Sequence, residues 1–79
     1  MKVLYDPAKD VLQVSFNQAI IEETAQIAPG VILDYDEDGK IIGIEVRQAS
    51  KKTDNPYRLL YTVEEANSNK PPLKGDAYE

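Results

Sequence analysis

Two apolar runs, Val31-Ile32-Leu33 and Ile41-Ile42-Gly43-Ile44-Glu45-Val46, flank an Asp38-Gly39 step, and no other stretch constrains the fold as strongly. Glycine accepts a positive φ without a Cβ clash and aspartate tolerates one, so Asp-Gly between β-branched runs predicts a hairpin. A two-residue loop would pair Tyr35 with Ile42, Leu33 with Ile44 and Val31 with Val46. A four-residue loop from Asp36 to Gly39 would pair Leu33 with Ile42 and Val31 with Ile44. Side chains alternate along a strand, so both registers place Val31, Leu33 and Tyr35 on one face with Ile42, Ile44 and Val46. That face is the expected core. The opposite face carries Ile32, Asp34, Ile41, Gly43 and Glu45, a mixed surface that another element or subunit would have to cover.

A second hairpin is expected from Val3 to Phe16. Its β-prone runs, Lys2-Val3-Leu4-Tyr5 and Val11-Leu12-Gln13-Val14-Ser15-Phe16, surround Asp6-Pro7-Ala8-Lys9-Asp10, where proline lacks a ladder donor and aspartate favours turns. Leu12, Val14 and Phe16 form its apolar face with Val3 and Tyr5. Ala19 to Ala28 fits helix and strand templates poorly. Its β-branched residues and the Pro29-Gly30 stop favour a short or irregular strand. Arg47 to Pro56 lacks strand periodicity and could form a turn of helix. Asn55-Pro56 then reads as an N-cap and first helical position, opening a C-terminal helix with Tyr57, Leu60, Tyr61 and Glu64 on one face, in competition with a final strand through Leu60. Asn67 to Glu79 contains too little apolar surface to offset its ordering entropy and reads as a flexible tail, or an arm that orders on a partner. The expected architecture is α+β: a small antiparallel β-sheet built from two hairpins with a C-terminal helix, one domain over residues 1–66 and a tail over 67–79.

The chain has 79 residues and neither Cys nor His. Disulfides, thiolate or imidazole metal sites, thiol nucleophiles and His-based triads are therefore excluded, and oligomerisation is the remaining supplement to a small core. Ser15, Ser50 and Ser68 have no nucleophile-elbow context. Glu22-Glu23 and the aspartate cluster fall in stretches expected to be exposed, where carboxylate pKa values are not pushed toward neutrality. A non-catalytic protein without a cofactor is expected. The net charge of -5 argues against binding to nucleic acid, whose affinity comes from clustered Lys and Arg. No apolar run approaches the ~20 residues that span a bilayer, and no signal-type core follows Met1, so a soluble cytoplasmic protein is expected. Charge is also uneven: Ile20 to Val46 holds seven acidic residues against Lys40 alone, whereas Arg47, Lys51, Lys52 and Arg58 face only Asp54. Such unlike patches favour pairing between copies, which makes Ile32, Ile41, Arg47 and Lys51 the candidate interaction residues.

Asp34-x-Asp36-x-Asp38-Gly39, with Glu45 after five further residues, matches the calcium-binding EF-hand loop pattern, including the apolar Ile41 at its eighth position. Asp34, Asp36, Asp38 and Glu45 are accordingly the candidate ligands. Flanking residues argue otherwise, because an EF-hand needs a helix on each side and this loop lies between β-prone runs. In a hairpin Glu45 is carried down the strand at ~3.3 Å per residue, away from the tip. Weak divalent-cation binding at the tip remains an alternative function.

Tyr5-Asp6-Pro7, the run from Ala28 to Gly39, Gly43-Ile44-Glu45-Val46 and Ala49-Ser50-Lys51 together resemble the small prokaryotic proteins grouped as domain of unknown function family 2283. The resemblance covers about residues 1 to 52. It implies a compact antiparallel sheet with a helical or irregular C-terminal extension, and it brings no catalytic residues. Some members lie beside small toxin-like genes, so it also implies an alternative role as an antitoxin-like binder of one small protein partner. Residues from Asn55 onward depart from the pattern, and a partner-specific function would reside there.

Overall fold

The computed structural model describes residues 1–65. Five strands, β1 (Lys2–Asp6), β2 (Val11–Ser15), β3 (Glu23–Ala28), β4 (Val31–Tyr35) and β5 (Ile41–Arg47), precede one short helix, α1 (Ala49–Lys52). The strands form a single antiparallel sheet in the order β1-β2-β5-β4-β3. β5, the longest and richest in β-branched residues, occupies the centre, where both of its edges are hydrogen-bonded. Residues 19–28, which fit neither template, become β3 from Glu23 and complete a third hairpin, closed on β4 through Pro29-Gly30.

The central hairpin follows the two-residue register over most of its length: Val31 pairs with Val46 and Leu33 with Ile44. Near the tip a β-bulge intervenes, and Tyr35 pairs with Ile41 rather than Ile42. The loop accounts for the extra residue. Asp36 Oδ1 accepts the N–H groups of Asp38 and Lys40, each at 2.9 Å, and Asp36 O accepts the Gly39 N–H at 3.0 Å, with Gly39 at φ 79°. One side chain thus organises a loop longer than Asp-Gly alone requires, and the bulge restores the register beyond it.

Among the described residues Ile32, Ile42 and Ala49 are the buried apolar side chains, and Asp34 is the buried charged one. Of the expected core, Ile42 is buried, while Val14, Val31, Leu33 and Ile44 are half-buried. Phe16 is 45 % exposed because it lies beyond the last β1–β2 pair, Lys2 with Ser15, and has no β1 neighbour. Ile32, on the mixed face expected to need cover from another element or subunit, is only 6 % exposed within the single chain. The pairing of β3 makes β4 an interior strand, so Ile32 is flanked across the sheet by Gln26 on one side and Glu45 on the other.

The expected helix from Asn55 does not form within the described residues. Asn55 Oδ1 accepts the Tyr57 N–H at 3.0 Å and Asn55 O accepts the Arg58 N–H at 3.1 Å, which is one turn and no more. A helix this short needs a docked apolar face to offset nucleation, and Leu59, Leu60, Tyr61 and Val63 all remain exposed. The helical residues fall earlier, at Ala49–Lys52, in the stretch expected to hold a turn of helix before Pro56. The expected tail over residues 67–79 lies outside the described residues. Among those described, no helix is long and apolar enough to cross a membrane.

Gly43 faces Asp34 across the β4–β5 ladder, and a Cβ added there would lie 2.9 Å from Val14 O and 3.1 Å from Asp34 Oδ2. Asp34 is 1 % exposed, so neither neighbour can withdraw into solvent without opening the sheet. Gly43→Ala should therefore destabilise the fold by about 1–3 kcal/mol, the usual range for overpacking. Urea denaturation at fixed protein concentration measures it, and an unchanged midpoint would show that the sheet yields at this position.

Candidate functional site

The β2–β5 register places Val11 opposite Arg47, which brings the end of the first hairpin turn beside the start of α1. Asp10 occupies that point in the left-handed region, φ 56°, a conformation aspartate tolerates better than most residues. Its carboxylate accepts the Tyr5 hydroxyl at 2.7 Å, the Ser50 N–H at 2.9 Å and the Ser50 hydroxyl at 2.6 Å. Its carbonyl accepts the Ala49 N–H at 3.0 Å. Asp10 thus satisfies the first amides of a helix whose own N-cap, Gln48, makes no side-chain cap bond. Hydrogen bonds from Ser50 and then Tyr5 hold the Asp10 carboxyl below the usual aspartate value of 3.8, and the same carboxylate raises the Tyr5 hydroxyl to about 12.

This node fixes where the chain goes next. Thr53 closes α1 by donating both its N–H and its hydroxyl to Ala49 O, at 2.9 Å each. Lys52 reaches back to Arg47 O at 2.7 Å. The chain then returns over β1 and β2, where Tyr57 meets Tyr5 edge-on with ring centroids 5.2 Å apart. A cleft of about 360 Å³ separates this segment from the sheet, with Val3, Tyr5 and Leu12 on one wall and Pro56, Tyr57 and Leu59 on the other. Beside it Met1, Val3, Leu59 and Tyr61 form an open apolar patch, in which Leu59 and Tyr61 are 67 % and 69 % exposed. Thr53, Asp54, Asn55 and Arg58 also line the cleft, so its outer wall mixes polar with apolar side chains, whereas the patch beside it is apolar.

The four candidate ligands do not share a site. Asp34 is buried in the sheet with its Oδ1 lacking a hydrogen-bond partner, Asp36 is engaged by the loop amides, Asp38 is exposed at the tip, and Glu45 lies within β5 opposite Ile32. Among the described residues no three carboxylates converge as a metal site would require. The candidate interaction residues also separate. Ile32 is buried and therefore unsuited to contact a partner, while Ile41 is 49 % exposed and shares a register position with Tyr35 through the bulge, not the face opposite the core. Arg47 and Lys51 are exposed but lie at the Asp10 node, where Lys51 adds attraction to the carboxylate. The residues that dominate the patch, Leu59 and Tyr61, fall in sequence within the expected helix or strand. Their signal is the unusual density of large apolar residues after a proline, without a period that could bury them.

Residues 2–50 match the model of a family described as a protein of unknown function (DUF2283). No curated protein and no solved structure matches the chain. The matched span contains all five strands and both sides of the Asp10–Ser50 node, whereas the segment forming the outer wall of the cleft follows it.

The node should be visible as a pH dependence. The depressed Asp10 value contributes stability that is full above about pH 4 and lost as pH falls through the folded value; the raised Tyr5 value contributes stability that is full below about pH 10 and lost as pH climbs toward 12. Thermal melts across this range should therefore fall at both ends, with Asp10→Asn reducing the acid limb and Tyr5→Phe the alkaline one. Limbs identical to wild type in both variants would remove the node from the stability of the fold.

Proposed function

The chain belongs to the DUF2283 family, whose description assigns no activity, and from that premise we propose that it is a non-catalytic interaction module whose partner is a second copy of itself. One observation carries this reading: the described residues bury only Ile32, Ile42 and Ala49 among apolar side chains, while Met1, Val3, Leu59 and Tyr61 form a contiguous exposed patch. A small domain normally gains most of its stability from apolar burial, and without Cys or His it has no covalent or zinc-based substitute. Covering the patch with the same patch of a second copy supplies the missing burial symmetrically. The acidic net charge disfavours nucleic acid as the partner. No observation of comparable weight supports the antitoxin-like or divalent-cation alternatives.

Multi-angle light scattering of the purified chain at ~100 μM tests the proposal, because a specific interface of ~1,200 Å² or more should hold at that concentration. A dimeric mass is expected, and a monomeric one overturns the reading. Leu59→Glu combined with Tyr61→Glu should lower the fraction associated while changing stability at low concentration by no more than ~0.5 kcal/mol, since both side chains are exposed in the single chain. An unchanged mass in this variant would place the contact away from the patch.

A further inference from the structure

In an antiparallel ladder, residues of one pair exchange both backbone bonds and those of the next pair exchange none. Two bonds set the phase of this alternation across the sheet: the Phe16 N–H donates to Ile42 O, and the Arg47 N–H to Gly30 O, each at 2.8 Å. Leu12, Val14 and Phe16 therefore turn their backbone groups toward β5. Val11, Gln13 and Ser15 turn theirs toward β1, where their partners are Asp6, Leu4 and Lys2. It follows that the backbone N–H and C=O groups of Val3 and Tyr5 face outward. Among the described residues no strand pairs with that side of β1, and Val3 and Leu4 are 39 % and 50 % exposed.

We infer that β1 pairs antiparallel with β1 of a second copy about a two-fold axis through Leu4. This rests on the self-association proposed above and specifies its seam. The sequence Lys2-Val3-Leu4-Tyr5-Asp6 is complementary to itself in that register. Val3 exchanges both backbone bonds with the partner's Tyr5, and Tyr5 does the same with the partner's Val3. Lys2 falls opposite the partner's Asp6, and Asp6 opposite the partner's Lys2. Both are non-hydrogen-bonded positions, where facing Cα atoms approach to ~4.5 Å and opposite charges attract best. Leu4 meets its own copy between them. Moving the axis to Val3 would set Lys2 against Leu4, and moving it to Tyr5 would set Asp6 against Leu4, so the axis at Leu4 is the one that joins both charges. Leu59 and Tyr61, beside Met1 and Val3, then flank the seam. The opposite edge suits pairing less well: β3 is broken by a bulge between Gln26 and Ala28 and opens with Glu23 directly after Glu22.

Val3→Pro tests the seam without removing an intrachain ladder bond, because the Val3 N–H points away from β2 and proline is tolerated at such an edge position. Lys2→Glu tests the charge pairing by setting a carboxylate, in place of the ammonium, against the partner's Asp6. Sedimentation equilibrium of the full chain should show a wild-type dimer. Each variant should raise the dimer Kd at least ~10-fold, about 1.4 kcal/mol, with an unchanged circular dichroism spectrum. Should Val3→Pro lose its fold, Lys2→Glu decides. A wild-type Kd in the folded variants would overturn the seam and leave self-association standing, and a monomeric wild type would overturn both.

Discussion

One carboxylate determines how the first hairpin turn meets the start of the helix. Asp10 closes the first hairpin in a left-handed conformation and, forty residues later, receives Ser50 and Ala49 at the start of α1. The segment after α1 depends on this contact for its direction, since Thr53 ends the helix against Ala49 and the chain then returns over β1 and β2 toward Tyr5. Tyr5 donates to the same carboxylate, so the sheet and the helix start share a single acceptor group, and the covering segment packs on that donor through Tyr57. Charge-assisted bonds of this kind are stronger than neutral ones, which suits a junction held by few other contacts.

The sheet meets its backbone requirements more fully than its side-chain requirements. Its ladders pair β2, β5 and β4 on both edges, yet among the described residues the buried apolar side chains are Ile32 and Ile42 within the strands and Ala49 in the helix. Asp34 is also buried, with one oxygen unpartnered and close against Gly43, a place where apolar packing would have been less costly. The C-terminal segment covers β1 and β2 only in part, and the large apolar side chains it brings with it stay exposed.

What is legible in the sequence is local. Alternation on either side of Asp38-Gly39 places Val31, Leu33, Ile44 and Val46 on one face, and of the two registers it allows the sheet adopts the one with Val31 opposite Val46 and Leu33 opposite Ile44. Nearer the tip alternation is not enough, since Asp36 captures the amides of Asp38 and Lys40 and shifts Tyr35 onto Ile41. Ile32 departs from expectation for a different reason: its burial follows from β3 docking on β4, a pairing that the composition of Ala19 to Ala28 leaves open. Asn55-Pro56 carries the capping chemistry of one turn but not a helix, whose persistence depends on packing rather than on its first residues. Asp10 and Ser50 cannot be joined by any local rule. Ser50 stands inside a family-like segment and Asp10 just after another, but nothing in their spacing says that they touch.

The bulge in β3 matters beyond its own strand. A sheet whose two outer strands were both straight and receptive could add neighbours without limit, each new molecule offering a fresh template to the next, which is how fibres grow. Here the Gln26–Ala28 irregularity and the adjoining glutamates blunt one border, while the other has a charge pattern that complements its own reverse. Among the described residues β1 is then the one straight, unpaired border, and a strand paired there would close the sheet to further growth.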